Sequence, residues 1–238
     1  KIILQNKNDL IKLQDSILFD NASHNFLIIP GSGLPKKYMR KKKETLNEWF
    51  KNENYLEVGD QNSITIIFCG RLLKQKGIEK FVSLLDYKPN LKAEVFGDVD
   101  NHSKDSVSKT WIANIKSKYY AVTFHNHIKY PLIKRKFSYP ILLILSNYGE
   151  GFPRSLIEAI SQNIPVVCSK HASNCIENKD IIYIAKDDSC EAYLEQIEKI
   201  KEDHKNKLLK TKLTKSREYV FKNFLESKIV DNTIDYYF

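Results

Sequence analysis

Apolar residues along this chain fall in short runs separated by polar, helix-periodic stretches, so strands and helices are predicted in alternation. The clearest run is 64–69, ITIIFC, and 91–97, 121–124, 140–145, 166–168 and 180–185 repeat the pattern. Each is short and largely apolar, as a strand buried on both faces should be. Two more strand-like runs, 1–4 and 26–29, come first. Helices are predicted over 78–85, 103–118 and 130–139, and again from Pro153 until Asn163, Ile164 and Pro165 stop it. Asn8 or Asp9 is the expected cap of a helix over 9–17, and Asp187 or Asp188 of one running to about 201. Residues 36–61 read as a short helix plus loop. The segment 203–238 reads as amphipathic helix, with Tyr219, Phe221, Phe224, Ile229, Ile234 and Tyr237 packing. Parallel strands need such helical crossovers, and right-handed ones wind helices over both faces. The expected fold class is therefore α/β, a doubly wound parallel sheet, whose ligands bind beyond the carboxyl ends of the strands.

Three predicted loops follow strand ends. After 64–69 comes Gly70-Arg71-Leu72-Leu73-Lys74-Gln75-Lys76-Gly77, then a helix. Arginine offers a planar fork to phosphate oxygens and lysine a mobile point charge, so this is a phosphate-binding arrangement. It lacks the G-x-x-x-x-G-K-[ST] and G-x-G-x-x-G patterns, which disfavours a P-loop and a dinucleotide fold. The second loop is His125-Asn126-His127-Ile128. The third follows 140–145 and runs through Glu150, Gly151 and Phe152 to Pro153, where the next helix starts. Proline suits a first helical position, because its missing N–H would be unpaired there anyway. The amides of that first turn make an anion site. Glu150 at the loop mouth and Glu158 two turns into the helix are suited to accepting hydrogen bonds from sugar or ribose hydroxyls. Two glutamates at this spacing are common by chance, and two cations in a loop are usually only surface; the whole phrase EGFPRSLIEAISQNIPVV is more specific.

That phrase, with the G-R-…-K-G loop upstream, resembles the retaining glycosyltransferases of family 4 (group 1), which have the GT-B fold. The resemblance covers about 26–238 and implies a Rossmann-like, C-terminal donor-binding half of such an enzyme. Residues 1–25 are then a remnant of the N-terminal acceptor domain or a linker. It implies that Arg71, Lys76 and the amides between Pro153 and Leu156 hold the donor diphosphate, with Gly70, Gly151 and Phe152 lining the site. Glu150 holds hydroxyls of the donor sugar, Glu158 those of the ribose, and the backbone of Ile128 meets the base. Asn126 stands where the family usually has glycine, and Ala172-Ser173-Asn174 where it often has a Gly-Gly turn. The turn IPGSGLP at 29–35 resembles the crossing between the two halves.

The implied reaction is retaining transfer of a sugar from a nucleoside-diphosphate sugar to a glycan or lipid-linked acceptor, in surface polysaccharide biosynthesis. No metal or other cofactor is expected, since cations and a helix dipole neutralise the diphosphate. The acceptor is met through an N-terminal domain absent from this chain, so catalysis by the chain alone is expected to be incomplete. Two alternatives stand beside this reading: an NDP-sugar epimerase of GT-B architecture, and a non-catalytic nucleotide- or nucleic-acid-binding module.

Bulk properties modify the picture slightly. With 238 residues, 42% hydrophobic and 28% charged, the chain is globular. Its longest apolar run is far below the roughly 20 residues a membrane span needs, and no secretory signal is visible. Met39 is the only methionine, so Lys1 is not the expected natural start. Cys69, Cys168, Cys175 and Cys190 lack metal-type pairing and are expected reduced, in a cytoplasmic protein. His125 and His127 mimic ligand spacing without a Cys or carboxylate neighbour in sequence. The net charge of +9 gathers at 36–43 and 197–217. The latter run is interspersed with acids and reads as a solvated helix face; the former leaves peripheral contact with the inner face of a membrane open. Neither run is interleaved with aromatics, so no nucleic-acid partner is expected.

Overall fold

A computed structural model describes residues 2–16, 25–35, 64–126, 137, 139–148 and 151–237. The expectations for 36–61 and most of 130–139, and those for Met39, the basic run 36–43, His127, Ile128 and Glu150, lie outside the described residues.

Eight strands are described. β1 (Ile2–Leu4) and β2 (Phe26–Ile28) pair in parallel as a small sheet of their own, Ile3 opposite Leu27. Thus β2 does not join the main sheet. The other six are β3 (Ile64–Cys69), β4 (Lys92–Phe96), β5 (Val122–His125), β6 (Tyr139–Ile144), β7 (Val166–Cys168) and β8 (Tyr183–Ile184). They form one wholly parallel sheet in the order β5-β4-β3-β6-β7-β8. The order reverses direction between β3 and β6, so the topological switch lies between those two strands.

Alternating side chains of these strands enter two cores. Ile66, Phe68, Val95, Ile141 and Leu143 pack on one face against helices α2 (Ile78–Tyr87) and α6 (Cys190–Lys205). Ile67, Phe96, Leu142 and Ile144 pack on the other against α4 (Arg154–Ser161) and α7 (Leu208–Asn223). Both faces are covered, which is why the strands read as unbroken apolar runs. The remaining helices are α1 (Lys7–Gln14), α3 (Lys109–Lys118), the single turn α5 (Lys170–Ser173) and α8 (Glu226–Tyr237).

Several boundaries differ from expectation for identifiable reasons. Asn6 rather than Asn8 or Asp9 caps α1, its Oδ1 accepting from the Asp9 amide at 2.9 Å. Ser189 rather than either aspartate caps α6. Asp187 instead accepts from Ser189 and Asp188 from the Tyr193 hydroxyl. Tyr139, expected to end a helix, begins β6. The helix expected over 103–118 starts only at Lys109, capped by Ser108. The last 36 residues are not one helix: Lys207 at φ 61° separates α6 from α7, and the chain breaks again at Phe224. The α8 helix returns to the small sheet, where the Tyr236 hydroxyl accepts from the Ile2 amide and donates to the Asn25 carbonyl.

Candidate functional site

The loops after β3, β4 and β6 meet at the switch point. The β3 loop is pinned first to the β4 loop. Gly70 donates to the Phe96 carbonyl at 3.0 Å, Leu72 to that of Asp98 at 3.1 Å and Lys74 to that of Asp105 at 2.9 Å. At Gly97 the backbones come so close that a Cβ would lie 1.8 Å from the Gly70 carbonyl oxygen. Leu72 and Leu73 are buried and anchor the loop, while Arg71 between Gly70 and Leu72 is exposed. The Arg71 Nη1 donates to Asp100 Oδ2 at 2.9 Å. The Asp100 carboxyl is held below its usual range by the His102 amide first and by Arg71 second.

The Lys76 side chain runs back over the strand end: a Cβ on Gly70 would sit 3.7 Å from Lys76 Cδ. The turn at Lys74–Lys76 closes on Gly77, whose left-handed backbone (φ 81°, ψ 23°) lets it lie directly on Leu145. The Asn147 amide donates to the Gln75 carbonyl at 3.1 Å. The expected phosphate loop and the loop leading to α4 are thus in direct contact.

Pro153 occupies the N-cap of α4, one position before its expected place, and no side chain caps the helix. Its fixed φ and missing N–H suit either position. Leu156 is fully buried and its amide donates to the Pro153 carbonyl at 3.0 Å, so in this state it serves the core and the helix start. The amides that precede it in the helix are those of Arg154 and Ser155. Phe152 does not open into a pocket: its ring stacks on Phe224 at 5.0 Å and lies against Gly31 of the crossing turn. The Gly151 carbonyl accepts from Asn6 Nδ2 at 2.7 Å, so the end of β1 docks on the α4 loop. Glu158 is mostly buried, and Arg154 Nε donates to its Oε1 at 3.0 Å. Arg154 Nη1 also reaches Ser32 Oγ in the crossing turn, at 3.5 Å.

At the end of β5, His125 stacks on Phe96 at 4.6 Å and its Nε2 pairs with Glu94. Its imidazole therefore has a partner within the sheet. Among the described residues no group of three His, Cys, Asp or Glu side chains is arranged to hold a metal ion. The four cysteines form no disulfide, and burial pushes the Cys168 thiol up. No helix among the described residues is long and apolar enough to cross a membrane. Surface hollows of about 840 and 670 Å³ flank Lys88. The larger runs along the outer side of α6, and the smaller lies at the amino ends of β3 and β4, the wrong edge of a doubly wound sheet for its ligand.

Gly70, Arg71, Lys76, Gly151, Phe152, Pro153, Leu156 and Glu158 are thus gathered on two touching loops and the helix that follows. Three residues that sequence reasoning passed over belong to the same region. Arg154 was readable, being one helical turn from Glu158. Asp100 and Asn6 carried no local signal, since their partners lie 29 and 145 residues away.

Residues 51–217 match the model of a family described as glycosyl transferases group 1. No curated protein matches the sequence. Solved structures do. A glycosyltransferase from Rickettsia africae ESF-5 superposes with a TM-score of 0.74 at 18% identity, covering 100% of this chain and 62% of that one. Sucrose-phosphate synthase from Thermosynechococcus elongatus gives 0.74 at 19% identity, over 99% of this chain and 57% of that one. Anabaena Alr3699/HepE, solved in complex with UDP, gives 0.69 at 15% identity, over 98% and 62%. The six-stranded parallel α/β fold is therefore that of GT-B glycosyltransferase structures, and the chain spans about three fifths of their length.

Proposed function

The chain belongs to the group 1 glycosyl transferases, and from that membership we propose that it is the C-terminal donor half of a GT-B enzyme, binding a nucleoside-diphosphate sugar for retaining transfer. One observation carries this reading. The loop bearing Arg71 and Lys76 and the loop leading into α4 touch at the switch point, through Gly77 on Leu145 and the 3.1 Å bond from Asn147 to Gln75. That contact puts the loop that carries both cations beside the loop that leads into α4, at the carboxyl edge of the sheet.

The chemistry follows from the charges. In the proposed transfer the bond between the anomeric carbon and the diphosphate oxygen breaks, and negative charge grows on the leaving diphosphate. Arg71, Lys76 and the amides of Arg154 and Ser155 stabilise that charge, and such stabilisation at developing charge is a large catalytic term. The acceptor hydroxyl bonds to the anomeric carbon on the face the diphosphate leaves and gives its proton to the departing diphosphate oxygen, which gives retention. Glu150 accepts hydrogen bonds from donor-sugar hydroxyls, Glu158 from the ribose, and the backbone of Ile128 meets the base. No metal takes part in this scheme. The acceptor, a glycan or lipid-linked acceptor in surface polysaccharide biosynthesis, is held by an N-terminal half of which residues 1–25 are the remnant or the linker. The site of action is the cytoplasm, at or near the membrane face.

UDP is the first nucleotide to try, since HepE was solved with it. The test is calorimetric titration of the chain with UDP, GDP and ADP without added metal, beside Arg71→Ala. One nucleotide should bind selectively, and Arg71→Ala should weaken it about tenfold or more, the scale of a charge-assisted pair. A folded chain that binds none of the three, or binds one with Arg71→Ala unchanged, refutes this donor site.

A further inference from the structure

A side chain at Gly151 would meet one from the opposite end of the chain. A Cβ there would overlap Oε1 of Gln5 and lie 2.9 Å from its Cδ, so the Gln5 carboxamide rests on Gly151, in the loop leading into α4. The backbone is anchored on both sides of Gln5. Leu4 pairs with Ile28 in the small sheet, and its carbonyl accepts from the Ile29 amide at 2.8 Å. Asn6 is 4% exposed; its Oδ1 caps α1 and its Nδ2 donates to the Gly151 carbonyl at 2.7 Å. Just beyond, Lys7 pairs with Glu177 at 2.7 Å and Asn8 Nδ2 donates to the Asn174 carbonyl at 3.2 Å. The carboxyl end of β1 is thus tied across the carboxyl edge of the main sheet, where the ligand of such a sheet binds. Gln5 itself is exposed between these anchors.

We infer that Gln5 is a specificity-determining residue for the sugar of the donor: its carboxamide, held against Gly151, hydrogen-bonds a hydroxyl of the transferred sugar. This rests on the donor-site reading above, in which Glu150, the neighbour of Gly151, meets the same sugar. A carboxamide offers two N–H donors and a carbonyl acceptor, so it pairs with a hydroxyl in either sense. The cations of the β3 loop hold the diphosphate by charge and are indifferent to the sugar it carries. A carboxamide on an anchored backbone is not, because a sugar lacking the matching hydroxyl leaves it unpaired. The sugar is therefore read from the segment before the crossing turn as well as from the α4 loop, and Gly151 leaves the space that the carboxamide needs.

The experiment titrates the chain with whichever of UDP, GDP and ADP binds best, and with the glucose, galactose, mannose and N-acetylglucosamine conjugates of that nucleotide. For the tightest conjugate, the dissociation constant of the bare nucleotide divided by that of the conjugate reads the sugar contribution. This ratio should fall about three- to tenfold in Gln5→Ala, the scale of one uncharged hydrogen bond. In Arg71→Ala both ligands should weaken while the ratio holds. Gly151→Ala puts a methyl group where the carboxamide lies, so it should lower the ratio as Gln5→Ala does. The two substitutions together should lower it no further than either alone, because both act through one group. Melting curves check that each variant is folded. An unchanged ratio in folded Gln5→Ala overturns the inference and leaves the donor site standing, and so does a nucleotide that binds while none of its conjugates does. Effects that add in the double variant overturn it as well, since Gly151 would then act apart from Gln5. Failure of every nucleotide to bind overturns the donor site and with it this inference.

Discussion

Gly77 tests the central contact directly. Its backbone sits at φ 81°, ψ 23°, and an added Cβ would lie 2.5 Å from both the Cβ and the carbonyl oxygen of Leu145. Two penalties follow for Gly77→Ala. A left-handed backbone costs a residue with a Cβ about 1–2 kcal/mol. Carbon atoms normally approach to about 3.5–4.0 Å, so the loops must part by about 1 Å. Leu145 is 1% exposed, and one of the clashing atoms is its backbone oxygen, so no side-chain rotation relieves the clash. Overpacking of this kind costs about 1–3 kcal/mol. A total near 3 kcal/mol lowers the melting temperature of a chain this size by about 6–12 °C.

The displacement also moves the Lys74–Lys76 turn away from β6, so nucleotide affinity should fall at a temperature where the variant is still folded. Thermal melting and titration at 15 °C measure the two effects. Gly77→Asn separates the penalties, since asparagine tolerates the left-handed region but carries the same Cβ. It should recover only the backbone part. A melting temperature for Gly77→Ala within 2 °C of the unaltered chain, with unchanged affinity, would refute the argument. Full recovery by Gly77→Asn would show that the contact with Leu145 yields freely.

Two other predictions concern the frame. Arg217 is 6% exposed, donates from Nε to the Ser161 carbonyl at 2.9 Å and lies over the Phe221 ring at 4.8 Å. It satisfies the C-terminal end of α4, so Arg217→Ala leaves that carbonyl unpaired and should cost about 2–4 kcal/mol, read as a drop in the urea midpoint; a loss below 0.5 kcal/mol would sink the idea. His204 lies beside the Tyr139 ring, next to Asp203, which accepts from the Tyr183 hydroxyl, and burial lowers its pKa below the usual 6.5. Below about pH 6.5 the unfolded chain therefore takes up the proton more readily, and stability falls with pH through that window. His204→Gln should lose less stability than the unaltered chain between pH 7.5 and 5.5, and an equal loss would count against burial as the cause.

The strands were legible because burial on both faces erases the polar half of their pattern. Five of the six strands of the main sheet lie within one or two residues of the runs that announced them; in β8 a 3₁₀ turn at Lys179–Ile181 takes the first residues. Helix starts were less legible, because a capping oxygen is chosen by geometry among neighbouring candidates. Asp187 and Asp188 were plausible caps by type, but they bond to Ser189 and Tyr193 and leave the cap to Ser189. The single turn α5 gave no signal, since four residues cannot show a period; it is held by Ser169, whose hydroxyl accepts from Ala172 and donates to Ser146. The breaks at Lys207 and Phe224 were hidden because a lysine at positive φ looks like any helical lysine in sequence.

The site divides along the same line. Arg71 and Lys76 stand out in the sequence because they lie just after a strand in a local pattern of charge and glycine, and Glu158 because it follows a Gly-Phe-Pro helix start. What holds them does not, because it comes from elsewhere in the chain: Asp100 for Arg71, Leu145 for the turn that carries Lys76, Asn6 and Ser32 for the entry to α4. Parallel topology forces this. Each loop at the carboxyl edge is separated in sequence from its spatial neighbour by a whole crossover helix and strand. Contacts between loops are therefore long-range by construction, and local pattern can name candidate groups within a loop but not the residues that hold them. The consequence can be measured: substitutions at Asp100 or Asn6, conspicuous nowhere in the sequence, should change nucleotide affinity more than substitutions at Lys74, which lies within the cationic loop itself.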